Sequence, residues 1–249
     1  MRPFSAVLRV AVLFTLASAL VPPLPLLAAD GGQGIPWVED WGEALARAKK
    51  EQRPLLVDFH TSWCAFCRKL DAESFADPAV AKLAREHFVC ARLDADVQKA
   101  AALRYRPTGF PTVVFATPAG EEIWRFEGFR DAAGLRGILE KVVAIAPRVT
   151  ELRGRIRAQK GDPEPFLELG RIYLDLGSGA EAAPLLRKAC RLLPRRDAAR
   201  QAEAMLLLAR AERQAGNEGT ARKILRKLLR RFPDAAAAGE ARRELGRRG

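Results

Sequence analysis

The chain has 249 residues, 49% of them hydrophobic, and a formal net charge of +12. That is enough apolar material for one large domain or two small ones, and it excludes a chain dominated by disorder. The charge is uneven: residues 147–249 carry 24 Lys/Arg against 13 Asp/Glu, whereas residues 1–146 carry 18 against 17. A basic helical segment attracts nucleic acid, anionic lipid or acidic proteins alike, and it is equally the composition of solvated helix surface, so no nucleic-acid partner follows from it.

Residues 1–29 read as a signal peptide or N-terminal anchor. Arg2 and Arg9 precede an apolar run from Val10 to Leu20, and a proline-broken stretch follows to Ala28 and Ala29. Cleavage after Ala29 would leave Asp30 first, cleavage after Ala19 fits the small-x-small rule, and the uncleaved span is about the length of a bilayer crossing. Each version places the rest outside the cytoplasm, in a periplasmic or otherwise exported setting. A helix is expected over Trp41–Lys50, and the compact apolar run Pro54–Phe59 is expected to be a buried strand. Trp63-Cys64-Ala65-Phe66-Cys67 then falls at a strand-to-helix turn, with a helix opening over Arg68–Ala72 and another from Asp77-Pro78 to Arg85. Phe88–Leu93, Pro111–Ala116 and Ile123–Phe126 read as strands, Ala100–Tyr105 as a helix and Leu135–Ala144 as a closing helix. This order indicates an α/β domain with a mixed central sheet flanked by helices, over residues 36–146.

From Pro147 no strand pattern survives. A linker or capping helix is expected over 147–161, and helical repeats over 162–249. Counting back from Pro194, the residues Phe166, Leu169, Gly170, Tyr173, Ala182, Leu186 and Ala189 fall at the positions of a 34-residue two-helix repeat. Counting back from Pro233 gives Met205, Leu208, Ala209, Ala221 and Leu225, with Glu212 in place of the Tyr and Leu228 in place of the small residue. This second unit is degenerate, and about five residues around Arg196–Arg200 are extra relative to the repeat length. The pattern resembles the tetratricopeptide repeat, an all-α helical array. Two units need caps, and helices at Arg148–Gln159 and Ala235–Arg247 are available.

A Cys-x-x-Cys between a strand and a helix carries specific chemistry. Unpaired N–H groups and the positive dipole end at a helix start stabilise a thiolate, lowering a cysteine from about 8.5 to roughly 3.5–7.5. Cys64, taken as the more exposed thiol, would attack a disulfide sulfur, and Cys67 would then displace the captured partner. A zinc site would need a second close pair, and the remaining candidates His60, His87, Cys90 and Cys190 do not make one, so no metal is expected. Cys90 and Cys190 fit as buried small residues.

Leu55 to Lys69, through Trp63, Cys64 and Cys67, resembles the active-site strand, turn and helix of the thioredoxin family. Thr108-Gly109-Phe110-Pro111-Thr112 is similar to that family's second loop. The resemblance implies a thioredoxin fold, a cis Pro111, and a substrate surface from Trp63, Phe110, Pro111 and Thr112. It also implies a buried acid at Asp58, its pKa raised by burial, acting as proton shuttle for Cys67. Glu73–Pro78 and Phe126–Phe129 look more like the C-terminal periplasmic domain of DsbD-type transmembrane disulfide reductases, in which Asp71 matches a second acid near the thiols. Ala65-Phe66 between the cysteines matches neither thioredoxin nor its strongly oxidising relatives, so the redox potential is not set by analogy.

The expectation is a periplasmic thiol:disulfide oxidoreductase, a reductase or electron relay, using the Cys64/Cys67 dithiol and no cofactor. Its partners would be protein thiols and disulfides, an upstream membrane or soluble electron donor, and a protein docked on the helical repeats. No nucleic acid is expected, and the membrane only through an uncleaved N-terminal segment. The alternatives are a non-catalytic interaction scaffold, or a disulfide oxidase or isomerase.

Overall fold

The structure is a computed structural model that describes residues 34–246, so the segment 1–29 read as signal or anchor lies outside the described residues. Helix α1, Trp41–Glu51, starts where Asp40 accepts the Glu43 N–H and ends at Gln52 in the left-handed region. Strand β1, Leu55–His60, follows. Next come α2, Ala65–Leu70, a π-helical turn over Asp71–Phe75, and α3, Pro78–His87, capped by Asp77. The helix after the cysteine turn thus begins at Ala65, three residues before the expected Arg68. Strand β2, Val89–Asp94, helix α4, Lys99–Tyr105, and strands β3, Thr112–Ala116, and β4, Glu122–Glu127, complete the α/β part.

The sheet order is β2-β1-β3-β4, with β1 and β2 parallel and the other neighbours antiparallel. It is the mixed sheet of a thioredoxin fold. The two-residue period of a strand sorts its side chains. Leu55, Val57 and Phe59 of β1 pack with α1 and α4, while Leu56 packs in the opposite core with Leu70, Phe75 and Val80. Asp58 lies on the second of these faces, one residue pair along from Leu56, and its register partner on β2 is Arg92.

The expected break at Pro147 is absent. One helix, α5, runs from Ala132 to Ala158 with Pro147 inside it. Proline removes a hydrogen bond there, but Leu139, Val142, Ala146, Val149 and Leu152 form an unbroken buried stripe on both sides of it. Burial of that stripe outweighs the lost bond. The same core cluster continues from Leu56 and Phe115 of the sheet through α5 to Phe166, Leu169 and Leu186, so the two parts share apolar packing rather than a linker.

Five helices follow: α6, Glu164–Asp175; α7, Gly179–Leu192; α8, Ala198–Gln214; α9, Glu218–Arg231; and α10, Ala236–Gly246. The extra residues between the repeats lengthen α8, which has 17 residues where α6 has 12. Gly170 lets α6 and α7 approach: a Cβ there would lie 2.6 Å from Leu186. Tyr173, almost fully buried, also donates its hydroxyl to the Glu122 carbonyl at 3.1 Å, tying the first repeat to strand β4. Glu212 at the equivalent position of the second unit is buried too, held by Arg187 and by the Asn217 amide at 3.0 Å. A carboxylate replaces an aromatic ring there because a cation from the preceding unit reaches it.

Candidate active site

Cys64 is the N-cap of α2, and its Sγ accepts the Cys67 backbone N–H at 3.0 Å. The two cysteines are joined as a disulfide with their Cα atoms 5.3 Å apart. Their order of exposure is the reverse of the expected one: Cys64 is 5% exposed and Cys67 9%. Exposure therefore does not single out the nucleophile. Position does, because only Cys64 places its sulfur against the free N–H groups of the helix start, where negative charge on sulfur is favoured. No acidic residue stands in the first turn to oppose that charge.

Around the disulfide the surface is aromatic. Trp63 and Phe66 are 69% and 62% exposed, and Trp63 meets Phe110 edge-on with 6.0 Å between ring centroids. That contact joins the cysteine turn to the second loop, whose Phe110–Pro111 peptide is cis. Pro111 is buried and Phe110 half-buried. Thr112, grouped with them as substrate-binding, has no free hydroxyl. It is fully buried and donates to the Gly109 carbonyl at 2.6 Å, closing its own loop. Its side chain shapes the loop.

Behind the disulfide a cavity of about 190 Å³ is lined by Asp58, His60, Thr61, Cys67, Asp71 and Arg92, among others. Asp58 and Asp71 thus open on the same space as Cys67. Burial pushes Asp58 up to about 6, with Arg92 and then His60 pulling the other way. Asp58 Oδ2 accepts from Arg92 Nε at 3.3 Å, whereas Oδ1 is buried without a hydrogen-bond partner among the described residues. Arg92 Nη2 also donates to Asp71 Oδ1 at 2.5 Å, and Asp71 is half-exposed at the head of the π-helical turn. The guanidinium lies 4.6 Å from the Trp37 ring and 5.8 Å from that of Phe75. It is held by two acids and two aromatic faces, which fix a charge that long side chains otherwise leave mobile.

Arg92 was missed as a site residue in the sequence. Its signal was an arginine inside an otherwise apolar strand, Val-Cys-Ala-Arg-Leu, where a buried charge requires an opposite charge nearby. Cys90, on the same strand, is buried and pushed up to about 12 by that burial. Cys190, half-buried on α7, is raised to about 11 for the same reason. Neither is paired with another cysteine. Among the described residues no group of three His, Cys, Asp or Glu side chains is arranged to hold a metal ion.

A disulfide capping a helix, a cis proline loop beside it and a buried carboxyl behind it, on this sheet, define a thioredoxin-like domain with a thiol:disulfide oxidoreductase site, followed by helical repeats. Residues 41–143 match the family model of the thioredoxin-like domain, and residues 203–235 that of the tetratricopeptide repeat. The repeat match falls on the second unit, which the sequence pattern ranked below the first. The thiol:disulfide interchange protein DsbD of Vibrio vulnificus is 32% identical over 145 residues, covering 52% of this chain and 24% of that protein. Protein disulfide-isomerase erp38 of Neurospora crassa is 30% identical over 100 residues, covering 40% of this chain and 27% of that protein. The chain therefore spans about a quarter of the length of these relatives. A thioredoxin from Thermus thermophilus is a structural neighbour with a TM-score of 0.42 and 34% identity, covering 45% of this chain and 90% of its own.

Proposed function

We propose that the protein is an exported thiol:disulfide oxidoreductase that delivers electrons to protein disulfides, as a reductase or electron relay, with its helical repeats docking a protein partner. The observation that carries the reading is the Cys64 sulfur at the start of α2 with Cys67 one turn later. In the reduced protein the Cys64 thiolate attacks one sulfur of a client disulfide; that S–S bond breaks, a client thiolate leaves, and a mixed disulfide forms. Cys67 then loses its proton to Asp58 and attacks the Cys64 sulfur, releasing the second client thiolate. Two electrons have passed to the client, and the Cys64–Cys67 disulfide must be reduced again by an upstream dithiol. Trp63, Phe110 and the Pro111 backbone form the surface against which an extended client chain lies. Asp71 keeps Arg92 in place between the acids. Export rests on the N-terminal sequence pattern; no described helix is long and apolar enough to cross a membrane.

The test is reduction of insulin by the purified protein with dithiothreitol as donor. Cys64→Ser should abolish it, and Cys67→Ser should leave Cys64 linked to its client, which mass spectrometry then names. Undiminished turnover in Cys64→Ser removes the assignment. The direction of transfer is read from the potential of the couple against glutathione: about −270 mV supports a reductase, whereas about −120 mV reassigns the protein as an oxidase.

A further inference from the structure

Most of the unpaired positive charge of the described repeats lies on α7, just past its end, and on α9. The arginines of α6 and α8 are neutralised across helices: Arg171 meets Glu203 at 2.5 Å, Arg210 meets Glu240 at 2.5 Å, Arg213 meets Glu244 at 2.6 Å, and Arg200 pairs with Glu164, whereas Arg242 and Arg243 of α10 are exposed. The second helices of the two units differ. From Ala182 to Arg196 there are five Lys/Arg and no acid, and from Gly219 to Arg231 six and no acid. On α9, Lys223, Arg226, Lys227, Arg230 and Arg231 recur at helical spacing and are exposed, opposite the buried stripe Ala221, Leu225 and Leu228. On α7, Lys188 is half-buried and Arg191 exposed, and the exposed Arg195 and Arg196 continue past its end. None of these nine makes an ion pair among the described residues.

The two stripes stand on the second helices of consecutive repeats, and Cys190 of α7 and Ile224 of α9 pack against one core formed by α8, α9 and α10. The face has no exposed large apolar side chain; those among the described residues, Trp63, Phe66, Val97 and Leu103, all lie in the α/β part. A protein interface is built on a desolvated core with apolar and aromatic anchors, and sequence-tolerant binding of single-stranded nucleic acid uses stacked aromatics. This face offers neither. It offers long-chain cations spread over two helices, which suits a fluid plane of negative charge that needs no shape complementarity.

We propose that the α7–α9 face docks the protein on a bilayer surface bearing anionic headgroups. The contact is independent of the dithiol chemistry and goes beyond any contact made by the N-terminal segment. It would hold the dithiol near membrane-bound donors or clients.

Co-sedimentation of the full chain with vesicles tests it, using phosphatidylcholine alone and phosphatidylcholine with about 30% phosphatidylglycerol. The expected result is partitioning at least about tenfold stronger to the anionic vesicles, lost at about 0.5 M NaCl. The triple variant Lys223→Gln, Lys227→Gln, Arg230→Gln should lose that preference by about tenfold or more, while keeping its helical circular dichroism and insulin reduction. Lys49→Gln, Lys50→Gln, Lys82→Gln, which removes three exposed cations from the α/β part, should keep it. Equal partitioning to both vesicles overturns the proposal, as does an unchanged preference in the repeat variant. Binding to duplex DNA or polyglutamate without binding to anionic vesicles also overturns it and assigns the face to that polyanion.

Discussion

Arg92 and Asp58 stand opposite each other on the parallel strands β2 and β1, Nε to Oδ2 3.3 Å, and together they set the proton affinity behind the disulfide. Burial drives the carboxyl up and the guanidinium restrains it, leaving Asp58 at about 6. A carboxyl tuned there releases its proton just below neutral pH, which suits a group that must accept one from a thiol at neutral pH.

Ionising Asp58 inside the fold weakens it. Between its ordinary value of 3.8 and about 6 the folded protein keeps a proton that the unfolded chain has lost, so stability declines as pH rises through that window and is level above it. At about 1.4 kcal/mol per tenfold displacement, the ionised group costs on the order of 3 kcal/mol at neutral pH. Asp58→Asn should therefore be more stable than the native protein by about 1–3 kcal/mol near pH 7.5, with the gain gone near pH 4. Urea unfolding at the two pH values checks this; a gain equal at both contradicts the assignment of the proton to Asp58.

Arg92→Met removes the largest influence that lowers Asp58. The midpoint of the pH–rate profile for release of the mixed disulfide by Cys67 should move upward from about 6. At pH 7 more of Asp58 then holds its own proton, and release should slow several-fold. The variant also loses its stacking on Trp37 and Phe75, so unfolding should be easier. A loss of stability with an unmoved pH midpoint would show that Arg92 only packs.

Reduced protein treated with iodoacetamide near pH 7.5 should be alkylated at Cys64 first, because its sulfur sits at a helix start. Cys90 and Cys190, pushed up to about 12 and about 11, should react only after denaturant is added. Peptide mapping of the labelled sites decides; early labelling of Cys190 contradicts its protected state.

Three glycine-to-alanine changes should separate packing from backbone freedom. A Cβ at Gly179 would lie 2.4 Å from the Ala211 carbonyl oxygen, which only backbone movement relieves. One at Gly170 would lie 2.6 Å from Leu186, and that side chain is itself fully buried. Gly137, inside α5, has nothing within 4 Å of its Cβ position. Thermal unfolding should rank Gly179→Ala below Gly170→Ala, the latter losing about 1–3 kcal/mol, and should show Gly137→Ala gaining about 0.5–1 kcal/mol.

Much of the fold was legible because its signals are local. The apolar run Leu55–Phe59 and the alternation in β2 announce strands, and Gly170, Tyr173 and Leu186 announce a repeat by spacing alone. Cys64 and Cys67 are three residues apart, so their pairing needs no tertiary information. Pro147 misled because its cost is visible in sequence while the stripe that overrides it, Leu139 to Leu152, acts only once packed. Arg92 was overlooked because its partners lie 34 and 21 residues away.

The residues alone determined which two sulfurs exchange and which strand and helix hold them, since that chemistry is set within one turn of chain. Tertiary structure decided the proton affinity behind them, because it depends on burial and on an arginine from another strand. It also decided where the excess charge lies. Composition counts cations, but only packing shows that those on α6 and α8 are neutralised across helices while most of those on α9, and Lys188 and Arg191 on α7, make no ion pair among the described residues.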